Sequence, residues 1–425
     1  MRGLDVGPAD SLADRVRQIL DRRLLRDADA PVAVALSGGG DSLALALIAA
    51  DWANGAGRRL LILNVDHRLQ PQSAAWAHAC ARIAERLGAD FRALAWTGPK
   101  PASGLSAAAR AARHRLLADA ARQAGARVIL MGHTASDLAE AAAMRAEGST
   151  VPDAREWAPS PAWPEGRGVF LLRPLLGASR EELRHWLLER GETWIEDPAN
   201  SGTASARARV RAAGAAAPEA GAPPPDPGAL ATLGESCRFD PGGGLRLPRQ
   251  ALRDVAPAAA QAFLGVAAVC VGGGDRRPAT DRLRRVREIL AGPAALATTL
   301  AGARIEADDA EVSVLREPGE ARRGGLPTLY LTPGRPLVWD GRFEFTAAQP
   351  GLHVDRLEGV SRRLPPQQQD ALRLLPPKAR LGLPVVVEGD RIVCPALTGV
   401  EGIEMRPLVP DRLFAACGLV EREPV

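Results

Sequence analysis

The chain has 425 residues, more than one hydrophobic core usually serves, so we expect two or three domains. Hydrophobic residues make up 46% and charged residues 24%, which excludes a disordered or fibrous chain. The 54 basic residues outnumber the 50 acidic ones, and the net charge of +4 permits an anionic partner without requiring one. The basic residues are almost all arginine, which codon bias in a GC-rich genome would also produce.

The cysteines are scattered along the chain without a CxxC pair, at Cys80, Cys237, Cys270, Cys394 and Cys417. This spacing argues against a zinc or iron–sulfur site and against a disulfide scaffold, and it fits a reducing cytosol. The N-terminal segment lacks the apolar stretch of a signal peptide, and the apolar run at 43–50 is too short to span a bilayer. We therefore expect a cytoplasmic protein without a membrane anchor.

The first third of the chain alternates short apolar runs with longer amphipathic stretches. Predicted strands occupy the apolar runs at 32–36, 60–65, 91–95 and 127–131. Predicted helices occupy the stretches at 42–51, 73–87 and 105–123. Strands that are buried on both faces of a parallel sheet are continuously apolar, as VAVAL and LLILNV are here. The pattern predicts an α/β fold with a doubly wound parallel sheet.

A Pro- and Trp-rich passage at 151–168 is predicted to lack regular structure. Residues 169–172 are predicted to return to the sheet, and residues 180–190 are predicted to form an amphipathic helix. Residues 212–228 contain five prolines and no apolar periodicity, which predicts a linker. The linker would separate a first domain at 1–211 from a C-terminal region at 229–425.

The C-terminal region is predicted to be a smaller α+β part, which two subdomains could form. A basic helix is predicted at 281–290, capped by Thr280 or Asp281. Alternating residues predict strands within 304–315, 336–345 and 383–393.

A glycine-rich turn joins the first predicted strand to the first predicted helix of the sheet, with the sequence Ser37-Gly38-Gly39-Gly40-Asp41-Ser42. Such a turn points the free N–H groups of a helix N-terminus outward, where they can bind an anion. A carboxylate within a phosphate pocket requires a divalent cation between them, so Asp41 points to ATP with Mg²⁺. The spacing fits neither the Rossmann dinucleotide motif nor the Walker loop.

The SGGxDS turn resembles the pyrophosphate loop of the N-type ATP pyrophosphatases, also called PP-loop enzymes. Further segments occur in the order found in one family of these enzymes, the bacterial tRNA(Ile)-lysidine synthetases. They are VDH at 65–67, AR at 109–110 with RH at 113–114, GHT at 132–134 continuing to Asp137 and Glu140, RPLL at 173–176, WIEDP at 194–198 with Asn200, and RARVR at 207–211. The resemblance is strong over 30–211 and weaker beyond.

His133, Asp137 and Glu140 are spaced so that they would share one face of a helix, at the carboxyl edge of the sheet where ligands of open α/β folds bind. Two carboxylates there could attract a cationic substrate or hold a metal. The resemblance implies the first: free lysine, held by Asp137 and Glu140, with His133 near the ATP.

Asp66 and His67 follow the second predicted strand, and the resemblance implies that they hold the adenosine of ATP. On the predicted helix at 105–123, Arg113 is a candidate for phosphate or tRNA contact. Three arginines alternate with small residues before the linker and would point the same way on a strand; the resemblance assigns them to tRNA. They are Arg207, Arg209 and Arg211. A second candidate for contact with the tRNA backbone is a predicted helix with six arginines at 276–287.

The activity that the resemblance implies is ligation of lysine to C2 of the wobble cytidine of tRNA(Ile) with a CAU anticodon, through an adenylated tRNA, with ATP converted to AMP and pyrophosphate. The codon read would change from AUG to AUA. A homodimer is left open. Three positions depart from the family pattern, Gln70, Ala107 and His114, and leave the loop and the two carboxylates intact.

Two alternatives stay open on the sequence. A PP-loop tRNA thiolase would use the same adenylation but usually needs paired cysteines, which the chain lacks. A non-catalytic module that binds ATP or RNA would be expected to lose Asp41, Asp137 or Glu140, and all three are present.

Overall fold

The structure is a computed structural model that describes residues 11–146, 154–196, 226–317, 319 and 326–425. The chain divides into two compact units, the first formed by residues 1–223 together with 420–425 and the second by residues 224–419. In the described part, none of the helices combines the length and apolarity needed to cross a bilayer.

The first unit is built on one mixed, mostly parallel sheet, flanked by helices. Its described strands are β1 (Val32–Ala35), β2 (Leu60–Asp66), β3 (Asp90–Ala95), β4 (Val128–Met131), β5 (Trp157–Pro159) and β6 (Phe170–Leu172). Its described helices are α1 (Leu12–Arg23), α2 (Gly40–Ala56), α3 (Ser73–Arg86), α4 (Leu105–Gln123), α5 (Ala135–Ala146) and α6 (Arg180–Leu188). The predicted α/β class is confirmed.

The strand order is β3-β2-β1-β4-β6-β5, so the chain reverses direction across the sheet between β1 and β4. Ligands of open α/β sheets bind at such a reversal, outside the carboxyl ends of the strands. The central strands alternate between two cores because successive side chains point to opposite faces. On β1, Val32 and Val34 pack with α1, α2 and α6 on one side, while Ala33 and Ala35 face the core formed with α4 on the other.

Part of the predicted irregular passage is regular, which corrects the prediction for 151–168. Its residues Trp157–Pro159 form β5, which pairs antiparallel with β6 at the edge of the sheet. The Trp157 ring stacks on Phe170 at 4.8 Å between centroids, and its indole N–H donates to the Val420 carbonyl at 2.6 Å. Proline is tolerated at this edge, where its missing N–H breaks no ladder.

The last six residues of the chain belong to the first unit. Glu423 forms an ion pair with Arg58 in which both side chains are 1% exposed, with Oε1 and Nη2 2.9 Å apart. Its other oxygen accepts from the backbone N–H of Leu25 at 2.9 Å, and its own N–H donates to the Arg23 carbonyl at 2.7 Å. The C-terminus is thereby fixed to the segment between α1 and β1.

The second unit contains antiparallel sheets and helices of 4 to 16 residues in its described part. Its described strands are β7 (Arg238–Phe239), β8 (Leu245–Pro248), β9 (Leu296–Leu300), β10 (Ala303–Ala307), β11 (Glu311–Arg316), β12 (Leu329–Tyr330), β13 (Leu337–Trp339), β14 (Phe343–Ala347), β15 (His353–Arg356), β16 (Pro384–Glu388), β17 (Arg391–Val393) and β18 (Ile403–Pro407). Its described α-helices are α7 (Pro227–Glu235), α8 (Arg249–Arg253), α9 (Pro257–Gly272), α10 (Thr280–Ala291), α11 (Pro366–Leu374), α12 (Pro377–Arg380) and α13 (Val409–Cys417).

The strands of the second unit form three sheets, ordered β7-β8-β11-β10-β9, β12-β15-β16-β17 and β13-β14-β18. Each of the three segments predicted as strand in this region folds as two strands joined by a turn. The turns contain Asp308, whose carboxylate accepts from the N–H groups of Ala310 and Glu311, Asp340 with φ 51°, and Gly389 with φ 56°. Side-chain caps and left-handed backbone of this kind interrupt a strand even where its hydrophobic alternation continues.

Two predictions concern the starts of helices, namely the cap of α10 and the linker that precedes α7. The predicted cap of α10 is wrong: the N-cap is Ala279, without a side-chain hydrogen bond, so neither Thr280 nor Asp281 caps the helix. Most of the predicted linker at 212–228 lies outside the described residues, but Asp226 caps α7, which begins at Pro227. The predicted domain boundaries therefore stay a prediction.

Candidate active site

The conformation of the turn between β1 and α2 is stabilised by hydrogen bonds of its own serines and requires one glycine with a positive φ. The N–H of Ser37 donates to the Ser42 hydroxyl at 3.2 Å, and that hydroxyl donates to the Gly39 carbonyl at 2.9 Å. The Ser37 and Ser42 oxygens lie 3.1 Å apart. Gly38 has φ +90°, a conformation that glycine adopts without cost. Gly39 is the N-cap of α2 and has no side chain to cap it, so the first N–H groups of the helix are available to an anion.

The segment after α6 packs directly on this turn. The N–H of Ile195 donates to the Gly38 carbonyl at 2.9 Å, and a Cβ added to Gly38 would lie 2.5 Å from the Ile195 Cδ1. The Trp194 ring lies 3.5 Å from where a Cβ on Gly40 would be. Glycine is therefore favoured at position 38 by its backbone conformation and by the contact with Ile195, whereas Gly40 meets Trp194 at an ordinary van der Waals distance.

The turn after β4 approaches the same place from the neighbouring strand. A Cβ on Gly132 would lie 3.1 Å from the backbone N and Cα of Ser42, so only glycine fits without displacement of the α2 N-terminus. The contact places the start of α5 beside the start of α2, at the reversal of the strand order. The two predicted motifs, SGGGDS and GHT with its following carboxylates, are thus brought together.

Three carboxylates from α2 and α5 converge on a single guanidinium, that of Arg180 at the first position of α6. Its Nε contacts Asp41 Oδ2 at 3.2 Å, its Nη2 contacts Asp137 Oδ1 at 2.9 Å, and its Nη1 contacts Glu140 Oε1 at 2.8 Å. Glu140 is 5% exposed and Asp137 15% exposed, whereas Asp41 and Arg180 are about a quarter exposed. The site is therefore more exposed to solvent at Asp41 than at Asp137 and Glu140.

The electrostatics of Asp41 reflect this half-buried position. Burial raises the pKa of the Asp41 carboxyl above its usual value, the Arg180 guanidinium opposes that rise, and the nearby Asp137 carboxylate adds to it. Three carboxylates against one guanidinium leave the cluster negatively charged, which favours a cationic ligand.

Asp137 has a second function at the start of α5. Its Oδ2 accepts from the N–H of Thr134 at 2.9 Å and from the Thr134 hydroxyl at 3.0 Å, in the manner of a capping box. Both of its oxygens are therefore fixed. The prediction that His133 shares a helix face with Asp137 and Glu140 is wrong, because α5 begins only at Ala135 and His133 lies in the preceding turn, its N–H bonded to the Met131 carbonyl at 2.9 Å.

Asp66 and His67 lie at the carboxyl end of β2, as predicted. The Asp66 carboxylate accepts from the N–H of Arg68 at 2.7 Å. The His67 ring meets the Trp96 ring edge-on at 6.0 Å, and Lys100 Nζ lies 3.6 Å from the centroid of Trp96. Burial lowers the pKa of His67, the Arg113 charge lowers it further, and the Asp66 carboxylate opposes that shift.

Arg113 lies on α4 within a group of basic side chains. Burial lowers the pKa of the adjacent His114 to about 3, with the charges of Arg113, Arg110 and Arg173 adding to the effect. Burial likewise lowers the pKa of Arg173 to about 10, and the charges of Arg110 and Arg113 add to this effect. Cations that depress each other's pKa in this way favour an anionic ligand.

The candidate residues of the loop, of β2, of α4 and of α5 all lie in the part of the chain that the structure describes. Arg207, Arg209 and Arg211, together with Asp197, Pro198 and Asn200 of the quoted motifs, lie outside the described residues. Sequence reasoning missed Arg180 and gave no role to Ile195. One signal was available for Arg180: a cation at the start of a helix opposes the helix dipole, so its presence there indicates carboxylate partners elsewhere.

The donor set at this site fits a magnesium ion that arrives with ATP and does not fit a protein-only metal site. Among the described residues, no group of three or more histidine, cysteine or acidic side chains is arranged to hold a metal ion. Mg²⁺ in nucleotide sites typically uses one or two carboxylates together with phosphates and water, and Asp41, at the N-terminus of α2, supplies one carboxylate.

Comparisons with known proteins agree with this site. Residues 9–214 match the family model of the PP-loop domain. The chain is 49% identical to a tRNA(Ile)-lysidine synthase of Caulobacter vibrioides, over 97% of this chain and 99% of that protein. It is 35% identical to a tRNA(Ile)-lysidine synthase of Brucella anthropi, over 83% and 84% of the two chains.

Among solved structures, a U34-tRNA thiolase of Methanococcus maripaludis is 18% identical with a TM-score of 0.39, over 47% of this chain and 70% of that one. The identity to the two lysidine synthases along nearly the whole chain decides the relationship. The chain belongs to the tRNA(Ile)-lysidine synthase family of PP-loop proteins.

Proposed function

We propose that this chain is an ATP-dependent tRNA(Ile)-lysidine synthase, a ligase that joins lysine to C2 of the wobble cytidine of tRNA(Ile) with a CAU anticodon. The observation that carries the proposal is the 49% identity to a lysidine synthase across 97% of the chain. The site geometry supports it independently, since an anion-binding turn and a negatively charged cluster meet at one edge of the sheet.

The turn at Ser37–Ser42 binds the pyrophosphate end of ATP. Backbone N–H groups at the start of α2 donate to the phosphate oxygens, and Gly38, Gly39 and Gly40 allow the close approach. Asp66, His67 and His133 stand at the carboxyl ends of the neighbouring strands and contact the nucleotide. The C2 oxygen of the cytosine attacks the α-phosphate, and pyrophosphate leaves in the turn.

The cluster of Asp137 and Glu140 binds lysine. Their carboxylates attract its ammonium groups and hold the ε-nitrogen toward the adenylated base. Once that nitrogen has lost a proton it attacks C2, and AMP leaves with the former C2 oxygen. The protein contributes positioning and charge neutralisation, and a cytosine in a single-stranded anticodon loop can be splayed into such a site.

Asp41 is the residue that would hold Mg²⁺ with the bound ATP. The ion would neutralise the phosphates next to the carboxylate. We expect Asp41→Asn to lose adenylate formation without unfolding, whereas Asp51→Asn, at an exposed position of the same helix, should keep it. AMP release at the wild-type rate from Asp41→Asn would contradict the role of Asp41.

The tRNA backbone is contacted by Arg113 beside the site, by Arg207, Arg209 and Arg211, and by α10. On α10, Leu283, Val286 and Leu290 are buried, Arg287 is half-buried, and the other arginines are exposed. The helix predicted over 276–287 begins only at Thr280, so Arg276 and Arg277 precede it. The enzyme acts in the cytoplasm, where its tRNA is found. A homodimer, open on the sequence, can be checked by light scattering.

The experiment that tests this function supplies the full chain with ATP, labelled L-lysine and a tRNA(Ile) transcript that carries a CAU anticodon. Label in the tRNA, found after digestion at the wobble cytidine together with one AMP per lysine, is the expected result. An anticodon variant without the wobble cytidine is the matched control. Turnover that requires a sulfur donor would instead identify a thiolase, and absence of any turnover would identify a binding module.

A further inference from the structure

We propose that Arg180 is a positioning residue that holds the lysine-binding carboxylates in their working arrangement before lysine arrives; this inference rests on the proposed function. The guanidinium joins Asp41 at the nucleotide side to Asp137 and Glu140 at the lysine side. Arg180 is thus the link between the two halves of the site in the part of the chain that the structure describes.

The geometry of the contacts indicates positioning. Each of the three guanidinium nitrogens contacts a different carboxylate, so the planar fork of arginine keeps the carboxylates apart, whereas lysine would have to gather all three around one nitrogen. Each carboxylate contributes one oxygen atom to Arg180. A carboxylate has about four acceptor positions, so one contact with Arg180 does not by itself exhaust any of the three.

Repulsion among the three carboxylates explains why the cluster needs a cationic side chain of the protein. Without Arg180, three carboxylates from two helices would face one another in a half-buried site, where like charges repel strongly. The side chains would turn apart, and lysine would have to restore the arrangement at a cost to its affinity. With Arg180 present, the carboxylates are preorganised and the cluster stays negative enough to attract a cation.

A positive charge at the position of Arg180 is unfavourable unless its contacts with the carboxylates compensate for it. It is the first residue of α6, where the helix dipole disfavours a positive charge, and the Ser179 hydroxyl caps the helix by accepting the N–H of Glu182 at 3.1 Å. The helix start is therefore satisfied without Arg180, and its guanidinium serves the carboxylates.

The test measures the dissociation constant of L-lysine by calorimetry on the full chain saturated with a nonhydrolysable ATP analogue, together with lysine KM and kcat. For Arg180→Gln we expect the lysine dissociation constant and KM to rise at least tenfold, with a smaller change in kcat. Arg180→Lys keeps the charge but not the fork, so we expect an intermediate value, at least threefold above wild type. Arg190→Gln, just beyond the same helix, is the control and should stay within twofold.

Wild-type lysine affinity in Arg180→Gln would overturn the inference, and so would tighter binding, which would make Arg180 a competitor for the cation site. If Arg180→Gln does not fold, Arg180→Lys decides, and wild-type affinity in that variant overturns the inference. A wild-type chain that neither binds nor incorporates lysine would instead contradict the proposed function, so the two failures can be told apart.

Discussion

The backbone N–H of Ile195 donates to the carbonyl of Gly38 at 2.9 Å, so a segment that follows α6 holds the phosphate-binding turn between β1 and α2. The side chain of Ile195 fills the space where any side chain at position 38 would begin. The shape of the turn is therefore set jointly by a left-handed glycine and by a distant part of the chain.

Gly38→Ala should weaken ATP binding by at least about tenfold, because the new methyl group both strains φ and collides with Ile195. Isothermal titration with an ATP analogue measures the effect. Gly57→Ala is the matched control, since Gly57 has φ +68° at the end of α2 but open space around its Cβ position. Adding Ile195→Ala to Gly38→Ala should recover part of the loss, and unchanged ATP affinity in Gly38→Ala would contradict this reading.

Glu140→Ala should raise the lysine KM far more than the ATP KM, because this buried carboxylate belongs to the lysine side of the site. Steady-state lysidine formation with each substrate varied in turn gives both constants. Glu182→Gln, which alters an exposed carboxylate on α6, should leave the ratio of the two constants unchanged. Equal increases in the two KM values for Glu140→Ala would remove its assigned role.

His114 should make the folded state less stable in acid. Its pKa of about 3 in the folded chain lies below the ordinary 6.5, so between these values the unfolded chain binds a proton that the folded chain does not. The contribution of His114 to the free energy of unfolding is fully present above pH 6.5, and it falls as the pH drops, by about 2 kcal/mol at pH 5. Urea unfolding at pH 7 and pH 5 should show a smaller loss for His114→Gln than for wild type, and an unchanged loss for the exposed His78→Gln. An equal loss in all three proteins would contradict the shift.

Glu423→Gln should destabilise the first unit by about 3 to 5 kcal/mol, because it leaves the Arg58 guanidinium buried without its charged partner. Thermal and denaturant unfolding of the full chain measure this. Glu421→Gln changes an exposed carboxylate two positions earlier and should cost little. A loss below about 1 kcal/mol for Glu423→Gln would mean that the C-terminal residues are dispensable for the first unit.

The sheet of the first unit could be predicted because its central strands are continuously apolar and alternate with longer segments rich in helix-forming residues. The edge strand β5 could not, since it is short, contains proline and depends on the stacking of Trp157 on Phe170. The loop and the two carboxylates of α5 were found from local motifs. The link through Arg180 and the packing of Ile195 on Gly38 join distant segments; the charge of Arg180 at a helix start indicates acidic partners but not which ones, and no local pattern indicates the contact of Ile195 with Gly38.

The most direct test of the account is a crystal structure of the full chain with a nonhydrolysable ATP analogue and Mg²⁺ at saturating concentrations. We expect the β- and γ-phosphates against the backbone N–H groups at Gly39, Gly40 and Asp41, with the metal ion beside the Asp41 carboxylate. A fully bound analogue whose phosphates lie elsewhere, or a turn without nucleotide under those conditions, would contradict the account.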